Sequence, residues 1–141
     1  MFWWWDTLDP QDAYRHYKPL ATFLNGFTPA GLHATTATSS DPRVRLLGYQ
    51  DSNRVYLWLA QRQATWWNLV VEKHPPEPID AATITVEGLD PHRYTVVWWD
   101  TQAGAAIRRQ TVTPEGGRLQ LQVPPLARDI ACKILPIPLA Q

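Results

Sequence analysis

The stretch "YTVVWWDTQAG", residues 94–104, alternates in a way that decides the fold class. Tyr94, Val96 and Trp98 fall on one side of an extended chain, and Thr95, Val97 and Trp99 on the other. "DTQAG" (100–104) then supplies polar turn formers and a glycine where the backbone needs positive φ, so the stretch predicts a strand entering a hairpin. The same period of two extends in both directions. "RVRLLGYQ" (43–50), "RVYLWLA" (54–60), "ATITVEG" (82–88), "AIRRQTVT" (106–113), "RLQLQVP" (118–124) and "DIACKIL" (129–135) read as strands, and a weaker one fits 32–38. "PEGG" (114–117) predicts a second hairpin. Seven or eight short strands at this spacing predict a mainly β fold, an immunoglobulin-like antiparallel sandwich of two sheets.

Facing separates ordinary strands from unusual ones. In 118–123, Leu119, Leu121 and Val123 oppose Arg118, Gln120 and Gln122, as on a sheet with one wet face. Along 54–60, Val55, Leu57 and Leu59 oppose Tyr56, Trp58 and Ala60, so both faces are apolar, as they are along 94–99. A sandwich strand needs only one buried face. The second aromatic stripe therefore requires a cover: a helix, the long 61–80 connection with Trp66, Trp67 and "HPPEP", another domain, or a ligand.

The amino-terminal part reads differently. Asp9 is placed to cap a helix and Pro10 to open it, and Tyr14, Tyr17, Ala21 and Leu24 recur at helical spacing before Asn25-Gly26 stops it. Pro19 inside this span predicts a kink or two short helices in succession. Ahead of it stands "MFWWWD" (1–6), with no basic residue before the aromatics and no apolar run long enough for a secretory signal or a membrane span.

Composition narrows the function. Of 141 residues, 45% are hydrophobic and 18% charged, a globular balance, and thirteen basic residues match thirteen acidic ones. That leaves no electrostatic footprint for nucleic acid or an anionic membrane. The single cysteine, Cys132, alternates with Ile130 and Ile134 as a small core residue and leaves the compartment open. The four histidines are scattered without ligand spacing, and no phosphate-cradling loop is present, so neither metal nor cofactor is expected.

"WWWD" followed by "YRHYKPLATFLNG" resembles the end of the catalytic (β/α)8 barrel of bacterial glycoside hydrolases, where a Trp-rich last strand runs into a closing helix. "YTVVWWDTQAG" and "LARDIACKIL" resemble the paired signature of the β-sandwich attached after such barrels, a module family labelled a collagen-binding domain. The resemblance implies a division into 1–25, the remnant of the last barrel strand (Phe2 to Asp6) and helix (10–25), and 26–141, the carboxy-terminal sandwich. Met1 is then an internal methionine or a truncation point. It further implies that Trp3, Trp4, Trp5 and Asp6 line a sugar site at the barrel mouth, since strand ends there carry the chemistry. No residue argues for a triple-helix groove.

Glycoside hydrolysis commonly uses two carboxylates flanking the scissile bond. The first 71 residues contain no glutamate, Glu72 and Glu77 fall in the proline-rich connection, Glu87 ends a strand and Glu115 sits in a turn. Asp9 reads as a cap and Asp12 as a first-turn dipole partner. The expectation is a non-catalytic accessory sandwich that braces a barrel through Trp58, Trp66, Trp67 and Trp99, with the barrel as partner. The alternatives are a carbohydrate-binding module in which these residues form a platform for polysaccharide and, as the family label implies, a module that binds collagen or another protein. Uncovered, the aromatic face of 1–25 is expected to make the chain self-associate.

Overall fold

The computed structural model describes residues 4–138. Among them, nine strands form two antiparallel sheets: β1 (His33–Ala34), β2 (Thr38–Ser39), β3 (Val44–Gln50), β4 (Val55–Gln61), β5 (Thr83–Glu87), β6 (Tyr94–Asp100), β7 (Ala105–Val112), β8 (Arg118–Gln122) and β9 (Asp129–Pro136). The larger sheet runs β1-β3-β4-β9-β6-β7 and the smaller β2-β5-β8. The weak strand expected over 32–38 is thus two short ones that join different sheets.

The core lies between the sheets, as alternation requires. Val55, Leu57 and Leu59 of β4, Tyr94, Val96 and Trp98 of β6, and Ile130, Cys132 and Ile134 of β9 meet Ile84, Val86, Leu119 and Leu121 from the small sheet. Trp98 is fully buried, and burial pushes the Cys132 thiol far above its usual range, so it packs as an apolar group. At the start of β6, the Tyr94 hydroxyl donates to the carbonyls of Asp90 (3.0 Å) and Ser52 (3.2 Å), tying that corner to the β3–β4 hairpin. A bulge marks the tryptophan pair: Trp98 faces Arg108 and Trp99 faces Ala106, leaving Ile107 as the extra residue of β7. Arg108 lies over the Trp98 ring and donates to the Gln122 carbonyl, closing the flank between β7 and β8.

"DTQAG" makes the expected hairpin, with Gly104 at φ 66° and the Asp100 carboxylate accepting from the Gln102 and Ala103 amides at 2.8 Å. "PEGG" does not. It is a tight turn closed by the Glu115 and Arg118 backbones, but β7 stays with β6 while β8 pairs with β5, so the chain changes sheets there. Pairing with β5 places β8 in the small sheet, where its inward row Leu119, Leu121 joins the core between the sheets.

The helical segment also departs from expectation. A single turn, α1 (Trp5–Leu8), is closed by the Thr7 and Leu8 amides bonding to the Trp4 carbonyl; of the barrel strand expected over Phe2 to Asp6, Phe2 and Trp3 lie outside the described residues, and Trp5 and Asp6 fall in this turn. A 3₁₀ turn (Ala13–Tyr17) then passes into α2 (Lys18–Phe23), with Pro19 in the first turn of α2. Two short helices are thus observed where Pro19 predicts a break, and Gly26 at φ 76° follows their end. Asp9 caps neither helix. Its Oδ1 accepts the Tyr14 hydroxyl at 2.7 Å, a bond that raises the phenol to about 12. Asp12 is not a dipole partner inside a first turn but the residue before the 3₁₀ turn, in left-handed backbone with no side-chain cap bond.

Candidate functional site: the outer face of the larger sheet

The two outer faces of the sandwich differ. On the small sheet, Glu87, Arg118, Gln120 and Gln122 point into water. On the large sheet, the outward residues of β4, β6 and β9 form a second apolar layer of Tyr56, Trp58, Trp99, Ala131 and Leu135. The segment from α2 to Leu32 covers it. Phe23 is its centre, edge-on to Trp58 (6.4 Å between centroids, 88°) and to Trp99 (6.0 Å, 88°), while Phe27 stands edge-on to Tyr56 at 4.9 Å. Burying Phe23 contributes roughly 1.5–3 kcal/mol, with edge-to-face geometry adding to it.

Three polar or steric pins hold this strap. At its start, a Cβ on Gly104 would stand 2.8 Å from Pro19 Cα, so only glycine lets the β6–β7 turn and α2 touch. In the middle, the buried Lys133 ammonium donates to the Asn25 carbonyl at 3.2 Å, between the Phe23 ring (5.0 Å) and the Trp99 ring (5.4 Å). At its end, Arg54 donates to the Thr28 (3.3 Å) and Ala30 (2.9 Å) carbonyls while ion-paired to Asp51 at 2.6 Å.

The cover is incomplete. Tyr14, Tyr17, Ala21 and Leu24, the residues that recur at helical spacing, face outward together with Leu20. Pro19 is where the 3₁₀ turn gives way to the α-helix, which resets the phase and leaves Phe23 as the buried contact. Tyr17 is 67% exposed, and beyond α2 the outward residues of β3, Leu47 (49%) and Tyr49 (55%), are uncovered as well. Between them runs a groove of about 340 Å³ lined by Leu20, Phe23, Leu24, Leu47 and Trp58, with almost no polar surface. Spacing alone could not reveal it, because Leu47, Gly48 and Tyr49 read as an ordinary strand and become a groove wall only beside α2.

The sequence-proposed site residues separate into groups. Trp3 lies outside the described residues; Trp4 and Asp6 are exposed around α1, and Trp5 begins it. Trp58 and Trp99 sit beneath Phe23, half-buried, so neither is an open platform. Trp66 and Trp67 are exposed on a π-helical turn (Trp67–Val71) and do not cover the aromatic stripe. The connection that carries them is anchored further on, where Ile79 bridges Leu126 and the Gln61 amide donates to the Glu77 carbonyl at 2.8 Å.

Four of the carboxylates have structural partners. Asp41 pairs with Arg43, Asp51 with Arg54, Asp90 accepts from Ser52 and Asn53, and Glu72 accepts from Trp67. Among the described residues, no three His, Cys, Asp or Glu side chains gather as a metal site.

No family model and no curated protein matches the chain. Solved structures similar to it include a GH30 endoxylanase from Clostridium papyrosolvens, with 14% identity over 82% of this chain and 26% of that one at a TM-score of 0.46. Another is titled a glycoside hydrolase, with 8% identity over 71% of this chain and 21% of that one at a TM-score of 0.37. The chain thus spans about a quarter or less of each of these structures.

Proposed function

We propose that the chain is the accessory β-sandwich of a glycoside hydrolase, and that it braces a (β/α)8 barrel with the uncovered outer face of its larger sheet. In this reading 26–141 form the module and 1–25 lead into it from the barrel, so that Trp3, Trp4, Trp5 and Asp6 belong to the barrel's sugar-binding mouth. The observation that carries it is the apolar groove between α2 and β3, whose walls include exposed Leu20, Leu24, Leu47 and Tyr49, with Tyr17 exposed one turn before Leu20. A contiguous apolar surface of this kind marks an interface. The brace needs no chemistry of its own.

The test has two arms. The purified 141-residue chain is expected to release no product from a panel of aryl glycosides and polysaccharides, and measurable turnover would contradict the reading. In the longer polypeptide of the same reading frame, Leu47→Asp with Tyr49→Asp is expected to lower the barrel's melting temperature by several degrees, and an unchanged value would also contradict it.

A further inference from the structure

We infer that the Trp66–Trp67 turn is a binding site for a single soluble chain of a neutral polysaccharide, separate from the apolar face assigned to the barrel. The inference does not rest on the brace.

The rings are presented rather than merely left over. Trp66 is 67% and Trp67 56% exposed, with centroids 6.5 Å apart and planes inclined by 60°. Their turn is internally bonded: the Leu69 amide reaches the Thr65 carbonyl, the Glu72 amide the Trp67 carbonyl, and the His74 amide the Asn68 carbonyl, all within 3.0 Å. The Asn68 side-chain amide donates to the Gln63 carbonyl at 2.8 Å. Trp67 itself is fixed by its Nε1–H, which donates to Glu72 Oε1 at 2.9 Å. A ring held as Trp67 is loses less freedom on binding, which lowers the cost of association.

The chemistry beside the rings selects a sugar. A pyranose offers an apolar C–H face to an electron-rich ring and hydroxyls around its rim. Glu72 Oε2, which carries no partner among the described residues, can accept such a hydroxyl next to Trp67. The charged residues of the connection, Arg62, Glu72, Lys73, Glu77 and Asp80, leave a balance of one negative charge. That balance supplies no attraction for an anionic lipid surface or a polyanionic glycan. Two rings inclined to one another cannot both lie flat on a crystalline face, but they can follow a chain that twists from one sugar to the next.

The experiment is affinity electrophoresis of the 141-residue chain through gels containing soluble arabinoxylan, glucomannan, mixed-linkage glucan or polygalacturonate, with pull-down on crystalline cellulose in parallel. At least one neutral soluble glycan is expected to retard the protein. Trp66→Ala is expected to weaken that retardation about tenfold, with unchanged circular dichroism because the ring is exposed. Glu72→Gln is expected to weaken it several-fold, whereas a Trp58→Phe control leaves it intact. Free migration in every neutral gel would overturn the inference, as would retardation insensitive to Trp66→Ala, or binding confined to cellulose or polygalacturonate. Loss of a self-associated species in Trp66→Ala without any glycan effect would assign the turn to a protein contact and overturn it too.

Discussion

Lys133 shows how one side chain can join a strand to the element that covers it. It lies on β9 opposite Tyr56 of β4 and Val97 of β6, with two aromatic rings and one carbonyl around its ammonium and no carboxylate paired to it among the described residues. Burial pushes its pKa below the usual 10.5. The ring faces and the Asn25 carbonyl offset part of that desolvation. The folded state therefore holds this proton less firmly than the unfolded chain, so stability rises with pH between the depressed folded value and about 10.5. Tyr56 and Tyr94 pull the other way, since burial raises both above 10 and their contribution falls as pH climbs past that value. Comparing wild type with Lys133→Met cancels the tyrosines. Urea denaturation at a series of pH values is expected to show wild type gaining on the variant as pH rises from neutrality toward 10.5, and a difference that does not change with pH would count against this account.

At the scale of elements, the strap from α2 to Leu32 is held to the large sheet by Gly104, Lys133, Arg54 and the Phe23 ring contacts. Gly104→Ala meets two obstacles at once, a positive φ and the Pro19 backbone, and is expected to cost roughly 1–3 kcal/mol. The cost falls on docking rather than on the sandwich core. Tryptophan emission should therefore shift to the red as Trp58 and Trp99 gain water, while the β signal in circular dichroism persists. Emission identical to wild type would mean that the turn and helix do not depend on each other. The strands were legible in the sequence because alternation is a local property: Val55, Leu57 and Leu59 point inward whatever surrounds them. The buried contact of the helical segment was not, since spacing groups Tyr14, Tyr17, Ala21 and Leu24, all exposed, and the passage from 3₁₀ turn to α-helix leaves Phe23 as the contact. The "PEGG" turn was read as a hairpin because its residues suit one, whereas the partner of β8 is chosen by distant Ile84 and Val86. Trp58 and Trp99 could be read as outward-facing, but the residue covering them, Phe23, is not among the residues that recur at helical spacing.

As a whole molecule, the chain has one wet outer face, one apolar outer face partly covered by its own strap, and a pair of tryptophans standing apart on a stiffened turn. An uncovered face with Tyr17, Leu47 and Tyr49 is expected to draw copies of the isolated chain together. In the proposed glycoside hydrolase the barrel would occupy it instead. Hydroxyl-radical footprinting reads this directly, because tyrosine, leucine and tryptophan oxidise in proportion to their exposure to water. In the longer polypeptide, compared with the 141-residue chain at high dilution, Tyr17, Leu20 and Tyr49 are expected to lose most of their oxidation while Trp66 and Trp67 keep theirs. Oxidation of Tyr17 and Tyr49 that is equal in the two would contradict the brace.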